Sequence, residues 1–266
     1  MDAVAGAKGA SAEAARSRLA ASHAEPGAAA TLLPRVRPLR RALALSWLYL
    51  RLPFLKRRIR RPVVETIDGV PLLVLPEVLN PVVFRSGAYL ARTVAVAAVA
   101  APPRPGARAL DMGTGSGASA LLAARRGWRV TAVDLNPQAV RCARLNVLWN
   151  GLEAAVDVRQ GDLFAPVAGE RFELVLFNPP FFRGEPQGPF DLAWRATDVL
   201  ERFAAGLPAA LAPGGRALVL LSTDGDGADL LRALDRHGLA VEVAARRDLG
   251  NEVMTIYSVR DEASAP

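Results

Sequence analysis

A chain of 266 residues, 51% of them apolar, holds one large domain or one domain with an appendage, and 22 glycines with 20 prolines exclude collagen and global disorder. One cysteine, Cys142, and two histidines, His23 and His237, exclude a disulfide framework, a multi-cysteine zinc site and a His-rich metal centre. The net charge of +7 is unevenly spread: residues 1–70 carry 13 Lys/Arg against 5 Asp/Glu, and the rest of the chain carries 20 against 21.

Residues 1–34, rich in Ala, Gly and Ser, read as a disordered tail, although an arginine-bearing, acid-poor start also fits an organellar transit peptide. Residues 35–79 form a basic and apolar extension that ends in a small hairpin. In it, Arg35, Arg37, Arg40 and Arg41 on one side and Lys56, Arg57, Arg58, Arg60 and Arg61 on the other bracket the stretch LALSWLYLRLPFL. A helix packed on the main domain is the plain reading, and contact with RNA phosphates or an anionic membrane surface the sharper ones. Pro53 argues against one long helix. No apolar run reaches the roughly 18–20 residues that span a bilayer, so no integral membrane span is expected and the cytoplasm is the expected location.

From residue 62 the pattern is regular. VPLLVL (70–75) is a hairpin strand, and 87–101 a helix. ARALDM (107–112) is a strand, followed by glycines and a helix through Arg126. WRVTAVDL (128–135) is a strand, followed by a helix over Pro137–Trp149. AVDVRQ (155–160) and FELVLF (172–177) are strands, and 191–211 is a helix. GRALVLLS (215–222) is a strand, 225–237 a helix, and 239–246 and 252–260 are strands. Alternating strands and helices predict a mainly parallel α/β sheet covered on both faces, with the last two strands an antiparallel hairpin at its edge. Residues 80–266 form this domain. Cys142, Trp47, Trp128 and Trp149 read as packing residues.

The first strand of the series runs into Asp111-Met112-Gly113-Thr114-Gly115-Ser116-Gly117, where glycines permit a tight strand-to-helix turn and close approach of a ligand. Asp134 ends the next strand, where a carboxylate can accept both hydrogen bonds of a ribose diol. Two cofactor classes fit such a turn. A dinucleotide wants G-x-G-x-x-G and no acid beside its pyrophosphate. This chain has G-x-G-x-G preceded by Asp111, which suits a ligand bearing an ammonium, such as S-adenosylmethionine. After the third strand, Gly161-Asp162-Leu163-Phe164 brings a carboxylate that can accept from an adenine amine.

With these motifs in this order, residues 80–260 resemble class I S-adenosylmethionine-dependent methyltransferases with a seven-strand Rossmann-like sheet. The resemblance implies cofactor binding by Asp111, Gly113, Thr114, Gly115, Gly117, Asp134, Leu135, Asp162, Leu163 and Asn178. The fourth strand ends in Asn178-Pro179-Pro180-Phe181, similar to the N-P-P-Y/F signature of HemK-like and small-domain methyltransferases. Asn178 and the Pro179 carbonyl can hold an NH2 group, Pro180 adds rigidity to the loop, and Phe181 can stack on a planar group. The resemblance implies N-methylation of a planar amide or amine. A protein glutamine leads, as in the HemK-like enzymes that modify release factors; adenine N6 or guanine N2 of RNA or DNA is the alternative, and a small molecule comes third. A non-catalytic cofactor-binding module is the rival from another class. HemK-like proteins carry an acid and a threonine just before the first helix of the domain; here that stretch is Asn80–Gly87 and lacks the acid. Residues 181–195, FFRGEPQGPFDLAWR, are the expected substrate segment.

Overall fold

The computed structural model describes residues 61–96, 103–185, 195–225 and 227–261, with isolated positions between 32 and 42. The expected tail, most of the basic segment and the centre of the expected substrate segment lie outside the described residues, as does Trp47.

The domain opens with a hairpin, β1 (Val63–Ile67) and β2 (Val70–Val74), closed by Asp68 and Gly69 with φ of 48° and 78°. Two consecutive positive φ values are what a two-residue turn needs to match strand twist. Helix α1 (Ser86–Ala95) follows. It stops short of the expected Ala101 because Val96 is extended and Arg126 Nη1 donates to Ala95 O at 2.6 Å, capturing a terminal carbonyl. Residues 97–101 of that expectation lie outside the described residues.

Then come β3 (Arg108–Met112), α2 (Ala118–Arg125), β4 (Arg129–Asp134), α3 (Pro137–Trp149), β5 (Val156–Gln160) and β6 (Phe172–Phe177). Short strands β7 (Phe182–Arg183) and β8 (Arg195–Ala196) pair in parallel. The chain closes with α4 (Val199–Ala210), β9 (Leu211–Ser222), α5 (Gly227–Arg236), β10 (Leu239–Asp248) and β11 (Val253–Asp261). β9 starts four residues earlier than its apolar run suggests, because Leu211 pairs with Phe172 before a register irregularity.

The main sheet has the order β10-β11-β9-β6-β3-β4-β5. β3, β4, β5, β6 and β9 are parallel; β11 runs antiparallel to both β9 and β10. The terminal hairpin is thus at the edge as expected, with its second strand inserted inside its first. Alternate residues of each strand enter two cores. Ala109, Val130, Ala132, Leu174 and Leu176 meet α1, α2 and α3 on one face. Leu110, Met112, Val133, Val175 and Phe177 meet α4 and α5 on the other. Both faces are apolar because both are covered.

After β5 the chain crosses back over β3 to lay down β6 on its other side. Strand order reverses there, and in open parallel sheets the crevice at the carboxyl ends of the strands at such a point receives ligands.

Candidate active site

One cavity occupies that crevice, and its wall joins segments from the whole domain. The glycine turn forms its floor. Gly113 and Gly115 have φ of 63° and 56°, and a Cβ on either would meet nothing within 4 Å, so the backbone is bare toward the cavity. Gly117 does a different job. It does not line the cavity; a Cβ there would touch Ala143 of α3 at 3.4 Å, so this glycine sets helix packing.

Asp111 is buried at 3% exposure. Its Oδ2 accepts from Thr114 Oγ1 at 2.6 Å and from Ala120 N at 3.1 Å. Burial pushes its carboxyl up from the usual 3.8 to about 7; the two donors oppose the shift and the charge of Asp134 adds to it. Asp134 stands at the end of β4. Its Oδ2 accepts from Gly115 N at 2.8 Å and its Oδ1 from Asn136 N at 2.9 Å. Burial raises its pKa too, against these backbone donors. Leu135 beside it is half-exposed on the cavity wall.

Asp162 and Leu163 close another side. Leu163 has φ 46°, a left-handed backbone that a branched side chain rarely adopts. Arg202, from the first turn of α4, also lines the cavity and donates to both carboxylate oxygens of Asp162. The roof comes from the loop after the hairpin, through Glu77, Val78, Leu79 and Pro81, and from Gly87 and Leu90 of α1. Asn146 of α3 ties roof to floor. Its amide pairs with Leu73 N and Leu73 O, each at 2.7 Å, and reaches Ser116 O at 2.8 Å.

Asn178 ends β6 on the cavity wall, with Pro180 beside it. Its Nδ2 donates to Ser86 Oγ at 3.2 Å, while its Oδ1 is buried with no hydrogen-bond donor among the described residues. An unmet buried acceptor is costly and needs a reason. Pro179 and Phe181 do not line this cavity. They bound a smaller adjoining one with Leu200, Leu221, Ser222, Gly225 and Gly227. Phe181 is half-buried against the core, and a Cβ on Gly225 would lie 2.7 Å from Phe181 O.

Of the residues expected from sequence, Asp111, Gly113, Thr114, Gly115, Asp134, Leu135, Asp162, Leu163, Asn178 and Pro180 therefore share one cavity. Ser86, Arg202, Gly225 and the roof were not expected. Gly225 alone carried a visible signal, as a glycine just past a strand end. Cys142 is buried, its Sγ donating to Leu73 O at 3.2 Å, and Trp128 is 7% exposed, both as expected. Trp149 is not a packing residue: it is 51% exposed on the outer side of α3, beside Leu145 and Leu148. Among the described residues no group of three or more His, Cys, Asp or Glu could hold a metal, and no helix is long and apolar enough to cross a membrane.

A doubly covered parallel sheet with a glycine turn and an acid at the end of the next strand, all at its switch point, defines an α/β protein of the Rossmann-like class. The family is more specific: residues 94–248 match the model of the methyltransferase small domain, and the chain belongs to that family. It is 37% identical over 156 residues to the release factor glutamine methyltransferase of Xylella fastidiosa, covering 53% of this chain and 56% of that one. It is 37% identical over 122 residues to the ribosomal protein uL3 glutamine methyltransferase of Bradyrhizobium diazoefficiens, covering 41% and 38%. The matches thus span 38% and 56% of these relatives' own length. The fold is shared with the T. thermophilus 16S rRNA N2 G1207 methyltransferase, solved with AdoMet and guanosine, at a TM-score of 0.58 and 21% identity over 76% of this chain and 50% of that one.

Proposed function

We propose that this protein transfers a methyl group from S-adenosylmethionine to the side-chain amide nitrogen of a protein glutamine. The observation that carries the reading is the buried, unmet Asn178 Oδ1 on the wall of the cofactor-type cavity. An acceptor placed there can take an N–H of the substrate amide. Doing so raises electron density on the nitrogen and stabilises the positive charge that develops as it is alkylated.

The charge of the cavity favours this cofactor. Among the described residues, Glu77, Asp111, Asp134 and Asp162 line it against one cation, Arg202. An anionic pyrophosphate is repelled by such a lining, whereas a ligand with a sulfonium and an ammonium is attracted. When bound, the cofactor supplies an electrophilic methyl group on positively charged sulfur. The bare backbone at Gly113 and Gly115 supports this reading, in which Asp134 would accept from a ribose diol, Asp111 would meet an ammonium and Asp162 would accept from an adenine amine. The glutamine assignment draws its support from the two glutamine-modifying relatives.

The test is transfer of labelled methyl from S-adenosylmethionine to three purified probes: a bacterial release factor, ribosomal protein uL3 and ribosomal RNA. Label in protein glutamine is expected. An Asn178→Ala variant should lose at least about tenfold in kcat, the scale of one hydrogen bond to a developing charge, with cofactor affinity retained. Label in RNA alone overturns the glutamine assignment. Wild-type turnover by Asn178→Ala overturns the role of Asn178.

A further inference from the structure

We infer that Ser86 is the positioning residue for Asn178: its hydroxyl holds the Asn178 amide so that Oδ1 stays aimed at the substrate nitrogen. The inference rests on the reading of the cavity just given. The Asn side-chain torsion next to the amide is soft and broad, so an unanchored amide samples many planes. Catalytic alignment tolerates little of that. Ser86 Oγ is the partner of Asn178 Nδ2, at 3.2 Å, and the two residues come from different elements, the start of α1 and the end of β6. The serine itself is 1% exposed, so water does not compete for it.

The segment that presents Ser86 is fastened on three sides. Asn80 Oδ1 accepts from Val82 N and Val83 N, and its Nδ2 donates to Glu65 Oε1 of β1 at 2.8 Å. Gly87 passes so close to Pro81 that a Cβ would lie 2.8 Å from the proline Cβ. Arg85, with φ 62°, donates to Asn251 Oδ1 and Glu252 Oε1, both at 3.2 Å, and Glu252 Oε2 in turn accepts from Ser222 Oγ at 2.6 Å. A left-handed arginine is a strained backbone that persists only where its surroundings determine it, and such strain gathers at functional sites. Here it sets the residue immediately before Ser86. The strain, the ion pair and the buried serine thus converge on one hydrogen bond to the residue whose other amide atom has no partner among the described residues.

The test compares Ser86→Ala and Ser86→Thr with wild type. Three quantities are read: methyl transfer to the protein probes, S-adenosylmethionine affinity by calorimetry, and the Asn178 side-chain amide by NMR. Ser86→Ala should lower kcat about five- to tenfold, the scale of one lost hydrogen bond. KM for the acceptor and cofactor affinity should change less than twofold. Ser86→Thr, which keeps the hydroxyl, should recover most of kcat. In wild type one Asn178 Nδ2 proton should exchange slowly, and that protection should vanish in Ser86→Ala. Cofactor affinity and thermal stability falling together with kcat, without rescue by threonine, would show a merely structural serine and overturn the inference. Unprotected Nδ2 protons in wild type would overturn it as well. If wild type methylates none of the probes, the glutamine reading fails, while the NMR comparison still decides whether Ser86 holds Asn178.

Discussion

Asp111 shows how a residue that lines the cavity can weaken the fold. Burial disfavours its charge and pushes its carboxyl up to about 7 in the folded protein. A pKa raised above the unfolded value means the native state binds the proton more tightly. Its stabilising contribution is therefore fully present below about pH 4 and is lost as pH rises through 7. An Asp111→Asn variant keeps an acceptor for Thr114 Oγ1 and Ala120 N without the charge. Without cofactor, it should match wild type in stability at pH 4 and exceed it at pH 8, on the order of 4 kcal/mol. Denaturant melts at the two pH values read this directly, and a stability difference independent of pH would contradict it. The same charge is the proposed partner of the cofactor's ammonium. Affinity for S-adenosylmethionine should then weaken as pH falls from 8 to 6 in wild type, and stay low and flat in Asp111→Asn. Burial raises the Asp134 carboxyl too, against the backbone N–H groups of Gly115, Asn136 and Leu135.

Among the elements, the loop after β6 depends on the loop after β9. The two strands are neighbours in the sheet, so their carboxyl ends rise side by side. Gly225 lies against the Phe181 backbone and leaves no room for a methyl group, the nearest atom being a carbonyl oxygen that cannot rotate aside. Gly225→Ala should push the Asn178–Phe181 segment outward. We expect a stability cost of ~1–3 kcal/mol, typical of overpacking, and a loss of transfer rate larger than that variant's loss of cofactor affinity. Wild-type stability and turnover together would show that the loops move independently. The roof follows the same logic: it is held mainly by side-chain amides reaching backbone, with Asn146, Asn150 and Asn136 bonding Leu73, Pro71 and Glu77. Three of the four non-glycine residues with positive φ among the described residues, Glu77, Arg85 and Leu163, lie on the cavity or next to it, where the chain bends most sharply around the site.

On the scale of the whole molecule, charge and site are segregated. The positive excess belongs to residues 1–70, while the cavity draws all but four of its lining residues from beyond residue 86, those four being uncharged but for Glu77. Attraction of a polyanion and binding of cofactor should therefore be separable. Replacing Arg57, Arg58, Arg60 and Arg61 by Gln should reduce binding to ribosomal RNA and flatten its salt dependence, since each phosphate contact releases counterions. Cofactor affinity should be unchanged. If wild type shows no salt-dependent RNA binding, the basic segment has no such role, and the glutamine reading stands apart from that result.

Much of this protein was legible in its sequence because the signals are local. Two-sided apolar strands such as Leu174–Phe177, the glycines at 113–117, an acid at the end of β4 and Asn-Pro-Pro-Phe at the end of β6 each sit within a few residues of their partners in meaning. Those signals imply a parallel sheet, its switch point and the residues facing the crevice, since a strand end followed by a tight turn can expose its backbone in only a few ways. Tertiary structure alone decided the rest. It placed β11 between β9 and β10, brought Ser86 to Asn178 and Gly225 to Phe181, and folded the hairpin over the glycine turn through Asn146. No periodicity encodes these pairings. They arise when strands distant in sequence take adjacent places in the sheet, and the loops at their carboxyl ends must then satisfy one another's polar groups where solvent cannot reach.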